Sequence, residues 1–125
     1  MNTALWIVQG LLAFMFLMAG MMKLTKSKEE LKPKMGTWVD AVSTPGFKLI
    51  GLLEFLGAVG VVLPMAIGIL PILTPTAAIG LALTMLGAMG LHIQRKEYDA
   101  IKKNIPLMLL ALFVAIGRLV LLPVN

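Results

Sequence analysis

Long apolar segments alternate with shorter polar ones along the chain. Each apolar segment approaches the roughly 20 residues that a helix needs to cross the ~30 Å hydrocarbon core of a bilayer. The pattern predicts an all-α, polytopic membrane protein, a bundle of four transmembrane helices in a single domain. These helices are predicted at about residues 3–22, 47–70, 76–91 and 105–122.

The first two segments each present a polar residue on a face that also carries small side chains. Residues three or four apart share a helical face. In the second segment, Glu54 shares its face with Gly51 and Ala58. In the first segment, such spacings connect a glutamine, small residues and a lysine: Gln9, Ala13, Phe16, Gly20 and Lys23. We expect both faces to point toward the other helices.

The third segment carries a ridge of mostly small residues at intervals of four. Its members are Thr76, Gly80, Thr84, Ala88 and His92. Small residues let the backbones of membrane helices approach closely. The ridge therefore predicts close packing against another helix. In the fourth segment, Pro106 suits a first helical turn, and Arg118 lies near the end.

Two polar loops, 23–46 and 92–104, separate the predicted helices. With Lys48 included, they hold ten of the eleven basic residues. Basic loops favour the cytoplasmic side, which predicts both loops in the cytoplasm and both termini outside, in a cytoplasmic (inner) membrane. Ser27 and Glu30 resemble a capping box that opens a short helix, which Pro33 is expected to interrupt. A second short helix, at about residues 35–42, is predicted to lie on the membrane surface with Trp38 as its anchor.

The composition agrees with a membrane protein and excludes several chemistries. Hydrophobic residues make up 59% and charged residues 14% of the chain, against about 45–50% and 25% in soluble domains. Without cysteine, the chain has no thiol chemistry, and its single histidine cannot supply both axial ligands of a b-type haem. Ten methionines are better explained as packing residues than as copper ligands. No metal or covalently bound cofactor is expected. The net charge of +5 indicates topology and anionic lipids rather than nucleic acid.

Glu54 is the most informative residue, because a charge at the centre of a membrane helix costs about 2.5–3.5 kcal/mol. Lys23 and His92 are predicted at a similar depth and are its candidate partners. One interpretation is a pocket that moves protons or binds the head of a quinone-like or other amphipathic ligand. Alternatives are a structural pair that fixes helix register, and exposure to water through a cleft. His92 could also lie simply at the headgroup level.

Arg118 and Gln9 are predicted in the outer half of the bundle. Arg118 is interpreted either as an interface anchor or as a partner for Gln9 and for the terminal carboxylate of Asn125. The alternative is a contact with an anion or a lipid headgroup.

Several short motifs, taken in order, resemble the DoxX-like family of small bacterial membrane proteins. They are Ala19-Gly20-Met21-Met22-Lys23-Leu24, Gly51-Leu52-Leu53-Glu54-Phe55-Leu56-Gly57, Leu63-Pro64, His92 and Arg118. The resemblance implies a four-helix bundle with Lys23, Glu54, His92 and Arg118 as signature polar residues. Some members of this family are subunits of a thiosulfate:quinone oxidoreductase, others belong to redox-stress complexes, and distant animal relatives are receptor-assembly chaperones.

Three functions are compatible with these features. The first is an accessory or ligand-binding subunit that holds a lipid or a quinone-like molecule near Glu54, in association with membrane redox processes. The second is a small proton-coupled transporter with Glu54 as the proton carrier. The third is a purely structural or assembly module. No catalytic residue is assigned, and the chain is not expected to be an enzyme on its own. Membrane lipids, a protein subunit and a second copy are the expected partners; the homodimer prediction depends on Gly57 and Gly60, which lie beside the Glu54 face.

Overall fold

The computed structural model describes residues 1–124 of the chain. Within them, four helical segments are long and apolar enough to cross a membrane. The elements are α1 (Asn2–Thr25), α2 (Lys28–Met35), a 3₁₀ helix (Thr37–Ala41), α3 (Thr44–Gly60), α4 (Leu63–Ile67), α5 (Leu73–Gln94) and α6 (Tyr98–Ile116), which ends in a π turn (Gly117–Leu121). α1 packs against α3 and α6, and α5 packs against the same two helices. The predicted all-α, four-helix transmembrane bundle is therefore confirmed.

The second membrane span consists of two helices, α3 and α4, rather than the single helix predicted at 47–70. It begins earlier, at Thr44, because the Ser43 side chain accepts a hydrogen bond from the Gly46 amide and caps the first turn. It breaks before Pro64, which has no N–H to donate to the carbonyl of Gly60. That carbonyl instead accepts a hydrogen bond from Thr74 Oγ1 at 3.0 Å. A side chain of the neighbouring helix thus satisfies the carbonyl group that the break leaves free.

Two prolines lie inside helices where the sequence predicted an interruption or a beginning. α2 continues through Pro33 to Met35; only one hydrogen bond is lost there, near the helix end. α6 begins at Tyr98 rather than near residue 105, so Pro106 lies within the helix rather than in its first turn. The first turns of α6 therefore contain the charged residues of 99–103, which precede the apolar segment. The capping box of Ser27 and Glu30 is formed as predicted.

The segment after α2 packs on the end of the bundle. It forms a 3₁₀ helix at Thr37–Ala41 rather than a surface helix over 35–42. Val39 is buried in a small apolar cluster with Leu31 and Phe47. Burial of these side chains holds the segment against the basic end of the bundle, which we define as the end formed by loops 23–46 and 92–104.

The predicted ridge on α5 does not pack against another helix of the chain. Thr76 and Gly80 are exposed, and a methyl group added at Gly80 would meet no atom within 4 Å. α5 buries a neighbouring face instead, which includes Ala78, Leu81 and Met85. Leu81 and Met85 fill the core with more volume than the ridge would, so the ridge prediction was wrong for Thr76 and Gly80; Thr84 and Ala88 are half-buried and His92 is buried.

The two glycines behind the homodimer prediction face α5 of the same chain. A Cβ at Gly57 would approach Leu81 to 2.5 Å, and one at Gly60 would approach Ala77 to 2.7 Å. They serve the packing of α3 on α5 and provide no free face for a second copy. The homodimer stays a prediction without this support.

Candidate functional site

The site at the basic end of the bundle depends on a close approach of α1 and α3. A Cβ at Gly20 would lie 2.7 Å from the carbonyl oxygen of Gly51 and 2.7 Å from the amide nitrogen of Phe55. A Cβ at Gly51 would lie 2.7 Å from the Cβ of Lys23. Only glycine fits at both positions, because most of these neighbours are backbone atoms. The approach brings the Lys23 side chain against the next turn of α3.

Lys23 and Glu54 form a buried ion pair in that position. The Lys23 ammonium donates a hydrogen bond to Glu54 Oε1, and the two side chains are only 8% and 4% exposed. Glu54 therefore has the lysine, and not His92, as its partner. Neutralising both charges inside the membrane is what makes their burial tolerable, since either one alone would be costly.

Lys48 stabilises the end of α1 next to this pair. Its ammonium donates to the carbonyl oxygens of Lys23 at 2.7 Å, Leu24 at 3.3 Å and Lys26 at 2.8 Å. The last carbonyls of a helix lack partners within the helix and carry partial negative charge. A cation from α3 thus fixes the turn that carries Lys23.

His92 pairs with the loop that follows its own helix. Its Nδ1 lies 3.0 Å from Glu97 Oε1, the oxygen that also accepts a hydrogen bond from Arg95 Nε at 3.0 Å. The hydrogen bond with His92, together with that from Arg95, lowers the pKa of the Glu97 carboxyl below its usual value. The predicted alternative in which His92 bonds Glu54 is therefore not formed. The rings of Trp38 and His92 pack edge to face, with 6.1 Å between their centroids.

Lys23, Glu54, His92 and Trp38 line one cavity of about 630 Å³. Helices α1, α3, α5 and α6 form its walls, and the segment of α2 and the 3₁₀ helix borders it at the basic end. Small-molecule sites in proteins commonly measure about 300–1,000 Å³. Its polar lining residues are Lys23, Lys34, Trp38, Glu54, Thr84, His92, Lys103 and Asn104.

The positive charges in this lining outnumber the negative ones. Lys23, Lys34 and Lys103 face a single carboxylate, Glu54, which is already paired. Asn104 adds a buried Nδ2 group that has no hydrogen-bond partner within residues 1–124. An unsatisfied buried donor costs about 1–3 kcal/mol. The cavity therefore favours a molecule that accepts hydrogen bonds or carries negative charge.

Arg118 and Gln9 meet in a second polar cluster, away from the basic end. Arg118 Nε donates to Gln9 Oε1 at 2.8 Å, Nη1 donates to Asn2 Oδ1 at 2.7 Å, and the guanidinium lies 5.5 Å from the ring centroid of Trp6. Arg118 is only 2% exposed, so it does not extend outward as an interface anchor.

Gln9 in turn satisfies the break between α3 and α4. Its Nε2 donates to the carbonyl of Val61 at 2.7 Å. The cluster thus connects α1, the α3–α4 break and the π turn after α6. The predicted contact of Arg118 with the terminal carboxylate of Asn125 lies outside the described residues.

The structure brings the five predicted site residues into two separate groups. Lys23, Glu54 and His92 line the cavity, while Gln9 and Arg118 form the distant cluster. Asn104, Glu97 and the helix-capping role of Lys48 were not predicted from the sequence, and Trp38 was predicted at the membrane surface. Glu97 could have been found, because an acid shortly after a histidine at a helix end is within reach of the imidazole. For Asn104 the sequence offers no signal, since its position depends on where α6 begins.

No curated protein and no solved structure matches the chain. The model of the DoxX-like family matches residues 7–116. This range includes all the residues that line the cavity beside Lys23 and Glu54. The chain is therefore a multi-pass membrane protein that belongs to the DoxX-like family.

Proposed function

We propose that the protein is a ligand-binding accessory protein that holds the polar head of an amphipathic molecule in the cavity beside Lys23 and Glu54. The observation that carries the proposal is that the buried ion pair lines a cavity of about 630 Å³. A pair that served only to fix helix register would be expected in a sealed, fully packed core.

The chemistry of the lining selects the type of head. With Glu54 paired, the remaining charges come from Lys34 and Lys103, and Asn104 offers an unused donor. A quinone carbonyl, a carboxylate or a phosphate would each accept hydrogen bonds here. The apolar walls, which include Phe16, Leu91 and Leu107, suit a head that enters from the membrane rather than a fully water-soluble solute.

The position of the protein in the cell follows from its charges. The basic end carries ten of the eleven basic residues when Lys48 is counted, so we place that end, and the cavity with it, on the cytoplasmic side of a bacterial inner membrane. An oxidoreductase subunit is a fitting partner if the head is a quinone, with this chain as its quinone-holding member.

The transporter hypothesis has less support. A proton carrier in a transporter must be reached in turn from both sides of the membrane. Glu54 lines the cavity toward the basic end and does not line the cavity of about 730 Å³ between α3 and α5. The carboxylate is also held in place by its ion pair with Lys23. The purely structural alternative predicts no saturable binding of an amphipathic molecule in the cavity.

Fluorescence of Trp38 provides a direct test. The chain has two tryptophans, so a Trp6→Phe variant leaves Trp38, in the cavity wall, as the single reporter. We expect saturable quenching by decyl-benzoquinone in detergent, with decyl phosphate as a competitor that reveals whether an anionic head is preferred. Asn104→Leu should weaken binding about tenfold, as expected for loss of one buried hydrogen bond.

A neighbouring lysine supplies the matched control for this experiment. Lys102 is exposed on the same helix and does not line the cavity, so Lys102→Met should leave the titration unchanged. Quenching that stays linear in probe concentration, or that is equal in Asn104→Leu and Lys102→Met, would refute the proposal.

A further inference from the structure

A second cavity lies between α3 and α5, in the half of the bundle away from the basic end. It measures about 730 Å³. Its floor is formed where Gly57 and Gly60 let α3 approach α5, and the exposed positions Thr76 and Gly80 form one edge. We call this cavity the α3–α5 groove. From Leu73 to Thr84 it follows α5 for about 16 Å, at 1.5 Å per residue.

The polar atoms in the groove are already satisfied. Thr76 Oγ1 donates to the carbonyl of Ile72 at 2.8 Å, and Thr84 Oγ1 donates to that of Gly80 at 2.9 Å. The carbonyl of Gly60, freed by the break in α3, accepts from Thr74. Among residues 1–124, no charged side chain lines the groove. The groove therefore suits hydrocarbon and offers nothing to a polar head.

The groove adjoins the polar cavity. Leu53 and Thr84 line both of them. Leu53 is 49% exposed, so this junction opens toward the lipid. A polar chamber with surplus donors thus lies next to an apolar groove, an arrangement that matches the two parts of one amphipathic molecule.

We infer that the α3–α5 groove is the subsite for the hydrocarbon tail of the ligand whose head occupies the polar cavity. The inference rests on the proposed function, because it needs a head in that cavity. It adds the class of ligand, a molecule with a long alkyl or isoprenoid chain, and the direction in which that chain runs, along α5 away from the basic end. The opening beside Leu53 is then the entrance from the bilayer.

One glycine on α5 allows the groove to be filled without disturbing the fold, and a second glycine on the same helix provides a control. A Cβ at Gly80 would meet no atom within 4 Å, and the same is true at Gly90. Gly80 lines the groove, whereas Gly90 lines neither cavity. Gly80→Leu therefore occupies the proposed tail subsite, and Gly90→Leu is its matched control on the same helix.

The test compares two probes with the same ring, decyl-benzoquinone and methyl-benzoquinone, by quenching of Trp38 in the Trp6→Phe background. Gly80→Leu should weaken binding of the decyl probe about tenfold, the scale of a misfit in an apolar pocket, and leave the methyl probe unchanged. Gly90→Leu should change neither.

Any other result contradicts either the tail subsite or the proposed function. Equal binding of the decyl probe by Gly80→Leu and Gly90→Leu would overturn the tail subsite, and so would equal weakening of both probes by Gly80→Leu. In both cases saturable quenching of the parent protein would leave the proposed function standing. Absence of saturable quenching by either probe in the parent protein would refute the proposed function and the tail subsite together.

Discussion

The Lys23–Glu54 pair makes a quantitative prediction about stability. Its side chains are 8% and 4% exposed, so removing one partner leaves the other charge buried. Lys23→Met and Glu54→Leu should each lower the free energy of unfolding by about 3–5 kcal/mol. The double variant replaces the pair by apolar side chains of similar size and should lie within about 1 kcal/mol of wild type. The effects of the two substitutions on the free energy of unfolding should therefore be strongly non-additive.

A double-mutant cycle measures this coupling. The free energy of unfolding is obtained from SDS titration in mixed micelles, with loss of helicity followed by circular dichroism. Lys102→Met is the control for loss of a lysine charge, because that side chain is 79% exposed and its removal should cost less than about 1 kcal/mol. Additive losses, with the double variant as unstable as the sum of the single ones, would refute the buried-pair interpretation.

Three further predictions concern the elements around the site. Gly20→Ala should destabilise the protein by about 1–3 kcal/mol, because the added methyl group overpacks against the backbone of α3. We expect a lower melting temperature in detergent for Gly20→Ala and an unchanged one for Gly80→Ala. Lys48→Met should speed hydrogen exchange of the last α1 amides, since it removes the cation from three helix-terminal carbonyls; unchanged exchange would contradict the capping role. Because the pKa of Glu97 is lowered by folding, its contribution to stability is present above its ordinary pKa of 4.5 and is lost as the pH falls below it. Melting temperatures of Glu97→Gln should therefore vary less with pH in that range than those of wild type.

The fold was predictable because the bilayer imposes a strong constraint on sequence. Four apolar segments with basic loops between them leave few alternatives to a helical bundle. The ends of the helices were harder to predict, because caps and prolines act locally. Ser43 moved the start of α3 upstream, Pro64 divided the second span, and Pro106 was accommodated within α6. At Pro64, a side chain of the neighbouring helix, Thr74, satisfies the carbonyl that the proline leaves without a donor.

The candidate site was predictable in its members more than in its contacts. An isolated charge in an apolar segment identifies Glu54, and helical depth places Lys23 near it. The choice between Lys23 and His92 as partner depended on the glycine contact of α1 with α3 and on a loop carboxylate, Glu97, which competes for the imidazole. For the ridge on α5, the spacing identified a helical face but not what that face contacts. Spacing alone cannot separate a face that packs on a helix from one that lines a groove open to lipid.

The central claim is that the cavity beside the ion pair holds an amphipathic ligand. Native mass spectrometry of the detergent-purified protein, with lipid extraction of the same sample, tests it most directly on wild type and on the double variant Lys23→Met/Glu54→Leu. The account predicts that wild type carries a defined molecule with a hydrogen-bond-accepting head and a long tail, and that the folded double variant has lost it. Wild type without a bound molecule, or a double variant that retains the same molecule at equal occupancy, would contradict the account.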